Sequence, residues 1–100
     1  MSIELTLSVD RRPDGEVVLN AAGEIDMSNA GDFSAALADA RREAAEQVVV
    51  VDLTRLEYID SAGLAVLFPH VEHLRLVATP LLAPLLTVAG LDDLTTVHDG

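Results

Sequence analysis

The sequence predicts an α/β domain: a mixed, mostly parallel sheet of about four to five strands packed with helices. Three observations carry that expectation. Val48-Val49-Val50-Val51-Asp52-Leu53 is a β-branched run of strand length without alternation, which suits a central strand buried on both faces. A strand, Glu16–Ala22, precedes it across a helical stretch, which makes a crossover unit with parallel strands and a right-handed connection. At the N-terminus, Ile3, Leu5, Leu7 and Val9 alternate with Glu4, Thr6, Ser8 and Asp10, the pattern of a half-buried strand.

Composition narrows the class. One hundred residues suit one domain with one core, and the expected unit is residues 1–100. Half the residues are apolar but only one Tyr and two Phe are present, so the core is aliphatic. The net charge of −11, with six scattered basic residues, argues against nucleic acid and against anionic membranes as partners. There is no cysteine, and Met1–Leu7 lacks a basic region followed by a long apolar run, so a cytoplasmic location is expected. The most apolar segment, Leu81–Leu91, is about half a bilayer span and contains Pro84.

The elements follow in order. Arg12-Pro13-Asp14-Gly15 has turn chemistry and makes the first two strands a hairpin. Gly23-Glu24-Ile25-Asp26 ends the second strand in a loop, and Asn29, with Asp32, is expected to cap the next helix. Phe33, Ala36, Leu37, Ala40 and Ala44 recur at helical spacing, and the helix should stop near Gln47. After the valine run, Thr54–Glu57 reads as a turn-like link to a short patch at Tyr58-Ile59. A helix after Asp60-Ser61-Ala62-Gly63 is cut short at Pro69 after about two turns. Leu74–Ala78 reads as a fourth strand. A third helix should start at Thr79-Pro80, or near Pro84, and end at Gly90, with Leu91, Leu94 and Val97 closing the chain.

Parallel neighbours end on one rim of the sheet, so the loops carrying Glu24 and Asp26 and carrying Asp60 and Ser61 should be adjacent. Ser61 is then a hydroxyl at a helix N-terminus. A phosphate placed there is expected to rest on free helix amides and to add about −1.5 to −2 charge beside Asp60 and Asp26.

These residues carry a resemblance. Gly23-Glu24-Ile25-Asp26, Asp52-Leu53, Ile59-Asp60-Ser61-Ala62-Gly63-Leu64 and Ala89-Gly90-Leu91 are similar in order and spacing to STAS domains, closest to bacterial anti-sigma factor antagonists. The resemblance implies that Ser61 is a phosphoacceptor. It also implies a partner that is both an anti-sigma factor and a serine kinase, bound by the unphosphorylated form so that sigma factor is released, and a phosphatase that resets Ser61. Asp26 and Asp60 match acidic positions lining the acceptor, and the implied partner-binding set is Glu24, Asp26, Asp60, Ala62, Gly63 and Leu64. Two departures stand out. Pro69–His73 replaces roughly two turns of the family's longer second helix. The third helix, with Leu81, Leu82, Leu85, Leu86 and Val88, is uncharged: it is either buried more deeply or meets another chain, such as a second copy in a homodimer.

Plainer readings stand beside these. Asp60-Ser61 serves as a helix cap, Asp26 ends a strand, Asp52 bonds nearby backbone, and Thr54 is a turn hydroxyl rather than a second phosphorylation site. His70, Glu72, His73 and His98 form no recognised ligand motif, so no metal or other cofactor is expected. A hydrolase built on Ser61 lacks the G-x-S-x-G elbow, so the chain is read as a non-enzyme. The alternative to the switch is a STAS docking subunit of a larger assembly, such as a stressosome or a lipid transporter.

Overall fold

The computed structural model describes residues 3–91 and 93–97. Five strands form one sheet in the order β1 (Thr6–Arg11), β2 (Val17–Ile25), β3 (Val49–Ile59), β4 (Leu74–Ala78), β5 (Leu94–Thr96). The β1–β2 pair is an antiparallel hairpin, Thr6 opposite Ala22 and Arg11 opposite Val17, and the other pairs are parallel. Helices α1 (Ala30–Ala44), α2 (Ser61–Leu67) and α3 (Ala83–Val88) connect the parallel strands in turn. Three right-handed crossovers stepping the same way along a sheet place all three helices on one face.

That face holds the core. Val17, Leu19, Ala21 and Ile25 of β2 and Val49, Val51, Leu53, Leu56 and Ile59 of β3 are buried with Phe33 and Leu37 of α1. The opposite face is polar: Thr6, Ser8 and Asp10 are exposed, and Asn20 and Asp52 are half-buried. Asn20 Nδ2 donates to Asp10 Oδ2 at 2.8 Å, and Thr54 N–H and Oγ1 both donate to Asp52 Oδ1, at 2.9 and 2.6 Å. Asp52 therefore serves its neighbours' polar groups. Val50 is nevertheless buried on this second face. Arg75 of β4 pairs with Val50 in register, and its guanidinium lies between Glu16 and Asp93, 3.9 Å from each.

Several boundaries differ from the sequence expectation. β2 continues to Ile25, so Glu24 lies in the strand, opposite Tyr58, rather than in a loop. Thr54–Glu57 is not a link: β3 runs unbroken to Ile59 with two irregularities, between Asn20 and Ala22 and between Gly23 and Glu24, that give it two more residues than its partner segment. Each bulge shifts the period-2 pattern, which is why the stretch reads as a turn. The regular β1 ladder begins only at Thr6. α1 stops at Ala44, because Ala45 takes φ 55° and its N–H turns back to the Arg42 carbonyl.

The C-terminal half follows expectation more closely. α2 has seven residues and passes into a 3-10 turn over Phe68–His73, where Pro69 interrupts the α-helical bonding. α3 begins at Ala83, the later of the two starts, with Pro84 in its first turn where a missing N–H costs nothing. Gly90 at φ 92° ends it: Gly90 N–H donates to Thr87 O and Leu91 N–H to Leu86 O, both 3.0 Å, a Schellman motif. Leu82 and Leu86 are buried, whereas Leu81 and Val88 are 78% and 87% exposed. The uncharged helix is thus buried on one side only.

Candidate functional site

Because β2 and β3 are parallel, the loop at Asp26 and the turn at Asp60 share one rim. A backbone hydrogen bond from Asp60 N–H to Ile25 O, 3.1 Å, ties the two together. Asp60 is the N-cap of α2: its Oδ1 accepts from Ala62 N–H at 2.9 Å and Gly63 N–H at 3.1 Å, while its carbonyl accepts from Leu64 N–H at 3.0 Å. Ser61 is the first helical residue and is exposed. The hydroxyl at the rim is therefore accessible, at the spot the topology selects.

The cap corrects one expectation. A phosphate on Ser61 was expected to rest on the free amides of α2, but the amides of Ala62 and Gly63 are taken by Asp60. Adding a dianion here places charge beside the Asp60 carboxylate, with two of the amides at the start of α2 no longer free to hold it.

Gly63 sets how closely α2 docks. It is buried, and a Cβ at this position meets Ile59 Cγ1 at 2.6 Å, Ile25 Cγ2 at 2.7 Å and Ile59 Cδ1 at 3.0 Å. Only a residue without a side chain lets the helix start rest on the ends of both strands. Ala62 and Leu64 are half-buried beside it.

The Asp26 loop is ordered by its own side chains. Asp26 Oδ1 accepts from Ser28 Oγ at 2.5 Å and from Ser28 N–H at 2.9 Å. These bonds, the hydroxyl first, hold the Asp26 carboxyl below the usual carboxylate range, against a small opposing effect of burial. Asn29 was expected to cap α1, but its side chain makes no cap bond. Its Oδ1 accepts from Asp26 N–H and its Nδ2 donates to Glu24 O, each at 2.9 Å. An asparagine has one side-chain acceptor oxygen, and here the preceding loop uses it. A cleft of about 300 Å³, lined by Ile3, Glu4, Leu5, Asp26, Ser28, Asn29 and Asp32, opens beside this loop, and Ser61 is not among its walls.

Sequence reasoning passed over Met27, which is 82% exposed between Asp26 and Ser28. The signal was present: an unbranched apolar side chain in a polar rim loop, with no helical or strand period to bury it. Nearer the far end of α2, Arg41 Nη1 donates to His70 Nδ1 at 2.9 Å, linking α1 to the 3-10 turn. Burial first, then Arg41 and His73, push the His70 pKa down. His98 lies outside the described residues; among those described, no group of three His, Asp or Glu side chains is arranged to hold a metal ion. No helix of the described residues is long and apolar enough to cross a membrane.

This arrangement is a STAS arrangement. The family profile for the Mlab STAS domain matches residues 8–96, and the chain belongs to the STAS domain family. An anti-sigma factor antagonist from Mycobacterium paratuberculosis is similar in structure, with TM-score 0.78 and 27% identity over 93% of this chain and 85% of that one. SpoIIAA, an anti-sigma factor antagonist solved in its unphosphorylated form, superposes with TM-score 0.66 at 16% identity, covering 95% of this chain and 90% of its own. An anti-sigma factor antagonist STAS domain from Rhodobacter sphaeroides gives 0.56 at 22% identity, over 74% of this chain and 84% of that one. Among curated proteins none matches by sequence. The fold is that of SpoIIAA.

Proposed function

We propose that this chain is an anti-sigma factor antagonist switched by phosphorylation at Ser61. The unphosphorylated form binds an anti-sigma factor that is also a serine kinase and so releases sigma factor; phosphorylation ends the binding and a phosphatase resets it. The role is regulatory rather than catalytic, and its setting is the cytoplasm. The observation that carries the reading is the exposed Ser61 at the start of α2, on the rim where Asp60 is tied to Ile25, the last residue of β2 and the neighbour of Asp26. Glu24, Asp26, Asp60, Ala62 and Leu64 form the proposed docking surface, with the exposed Met27 added as an apolar anchor, while the buried Gly63 acts from beneath by setting where α2 sits.

The physics of the switch follows from the cap. With Asp60 occupying the amides of Ala62 and Gly63, a phosphoryl group of about −1.5 to −2 charge on Ser61 finds no ready counter-charge. Burying it unpaired against a partner costs several kcal/mol, and each ~1.4 kcal/mol is tenfold in affinity. No refolding is needed. The test is incubation with ATP and candidate serine kinases from the genome neighbourhood, followed by mass spectrometry. Phosphate on Ser61 supports the reading, and phosphate only elsewhere, for instance on Thr54, refutes it.

A second reading, a docking subunit of a larger assembly such as a stressosome or a lipid transporter, is favoured by the exposed apolar side of α3. Under it Ser61→Ala and Ser61→Glu bind alike, and light scattering finds the chain in a large stable complex.

A further inference from the structure

Between α2 and β4 the chain runs through a segment that the core does not hold. None of the residues of the 3-10 turn, Phe68–His73, is buried. Hydrogen bonds in a 3-10 turn are poorer than those of an α-helix, so such a segment depends on ties to its neighbours. Among the described residues, one side-chain hydrogen bond joins it to another element. Arg41 Nη1 of α1 donates to His70 Nδ1 at 2.9 Å, between two half-buried side chains.

The chemistry of that bond fixes where the ring carries its hydrogen. A guanidinium only donates, so His70 Nδ1 must accept, and the ring is the neutral form with its hydrogen on Nε2. A second proton goes to Nδ1, which then has no lone pair to offer and sets two cations at hydrogen-bond distance. The surrounding charges bring no relief. Arg41, a permanent cation, acts on the ring from α1, and His73 from its own turn. α2 carries no charged side chain, Arg75 of β4 reaches Glu16 and Asp93, and Glu72 is exposed. Among the described residues no carboxylate forms an ion pair with Arg41 or His70. We propose that the Arg41–His70 bond is an acid-released latch, holding the turn to α1 while the ring is neutral and freeing it once the ring is protonated. Burial, then Arg41 and His73, keep the His70 pKa below the ordinary 6.5, so the latch is shut near neutral pH and opens only in acid. What it frees is the segment carrying the exposed Phe68 and Val71, at the end of α2 away from Ser61. The device stands whether or not Ser61 accepts phosphate.

NMR on the full chain, titrated from about pH 8 to about pH 4.5, tests this by reading the His70 ring nitrogens and backbone amide exchange together. At high pH the expected ring has a bare Nδ1. As it protonates, exchange at the amides of the turn, corrected for the intrinsic rate, should rise at least about threefold with the same midpoint. The amides of β2 and β3 should stay protected throughout. His70→Asn puts an amide oxygen near the place of Nδ1 and cannot titrate, so in it the rise should vanish. Arg41→Ala should leave the turn as open at about pH 8 as acid makes it in the wild type. Exchange in the turn that does not follow His70 protonation overturns the proposal, as does exchange that rises equally in β2 and β3. So does a hydrogen on Nδ1 of the neutral ring, a rise of the same size in His70→Asn, or an Arg41→Ala turn as protected as the wild type.

Discussion

Gly63→Ala is the substitution whose outcome the packing at the rim decides. An added Cβ lies 2.6 Å from Ile59 Cγ1 and 2.7 Å from Ile25 Cγ2, closer than carbon atoms approach without displacement. Both isoleucines are buried, at 3% and 0% exposure, and the clashing atoms sit on their β-carbons, so a terminal rotation cannot clear them. Overpacking of this kind costs about 1–3 kcal/mol. In the opposite direction, replacing glycine by alanine inside a helix gains about 1 kcal/mol. With both contacts far inside van der Waals distance the clash outweighs the gain, and the expected net loss is up to about 2 kcal/mol, a fall in Tm of up to roughly 16 °C for a domain of this size. Urea unfolding followed by circular dichroism reads it. Because α2 must move away from β2 and β3, Ser61 and Leu64 shift with it, and partner binding should fall further than stability does. The double variant Ile59→Ala/Gly63→Ala should lose less than the sum of the two single changes, since the first removes two of the three contacts. A Gly63→Ala protein as stable as wild type, with additive behaviour, would refute the reasoning.

Other predictions follow from single contacts. Asp60→Ala removes the acceptor for two α2 amides and should cost about 0.5–2 kcal/mol by urea titration, whereas Asp60→Asn keeps most of the cap. Gly23→Ala should be more damaging than Gly63→Ala, because φ there is 102° and the new Cβ lands on the Glu4 carbonyl oxygen, which is backbone and cannot swing aside. The Asp26 carboxyl, held down mainly by the Ser28 hydroxyl, should titrate higher in Ser28→Ala, as seen by carboxyl NMR; its contribution to stability is present above the ordinary carboxylate pKa and lost as pH falls through the lowered one. His70 behaves in the same sense: its pKa lies below the ordinary 6.5, so its contribution is present above that value and lost as pH falls through the lowered one. Urea midpoints taken downward from pH 7 should show that slope, and His70→Gln should flatten it.

Much of this fold was legible because local chemistry and tertiary packing agree. The alternation before Arg12, the turn at Pro13-Asp14-Gly15 and the valine run each specify one element that the structure contains, although the β1 ladder starts only at Thr6 and β3 runs on to Ile59. Pro69 and Gly90 stop helices by backbone constraints that no environment overrides. The misreadings fall where a tertiary contact decides. Thr54–Glu57 belongs to a strand because β2 lies alongside to accept it with bulges, and no short-range pattern reports a bulge. Asn29 looks like a cap, yet a better set of partners waits at Asp26 and Glu24. At the candidate site, the adjacency of the Asp26 and Asp60 loops came from topology alone, and the bond from Asp60 N–H to Ile25 O agrees with it. That Asp60 takes the amides of Ala62 and Gly63 was not legible, because an aspartate before a helix reads equally as a cap and as an acidic neighbour.

The most direct test of the switch is the affinity of two purified forms for the anti-sigma kinase, by calorimetry: the unmodified chain and the chain carrying phosphoserine at position 61. The account predicts that the phosphorylated form binds at least about tenfold more weakly, with its circular dichroism and Tm close to those of the unmodified form. Equal affinities, or a loss that comes only with unfolding of α2, would contradict it.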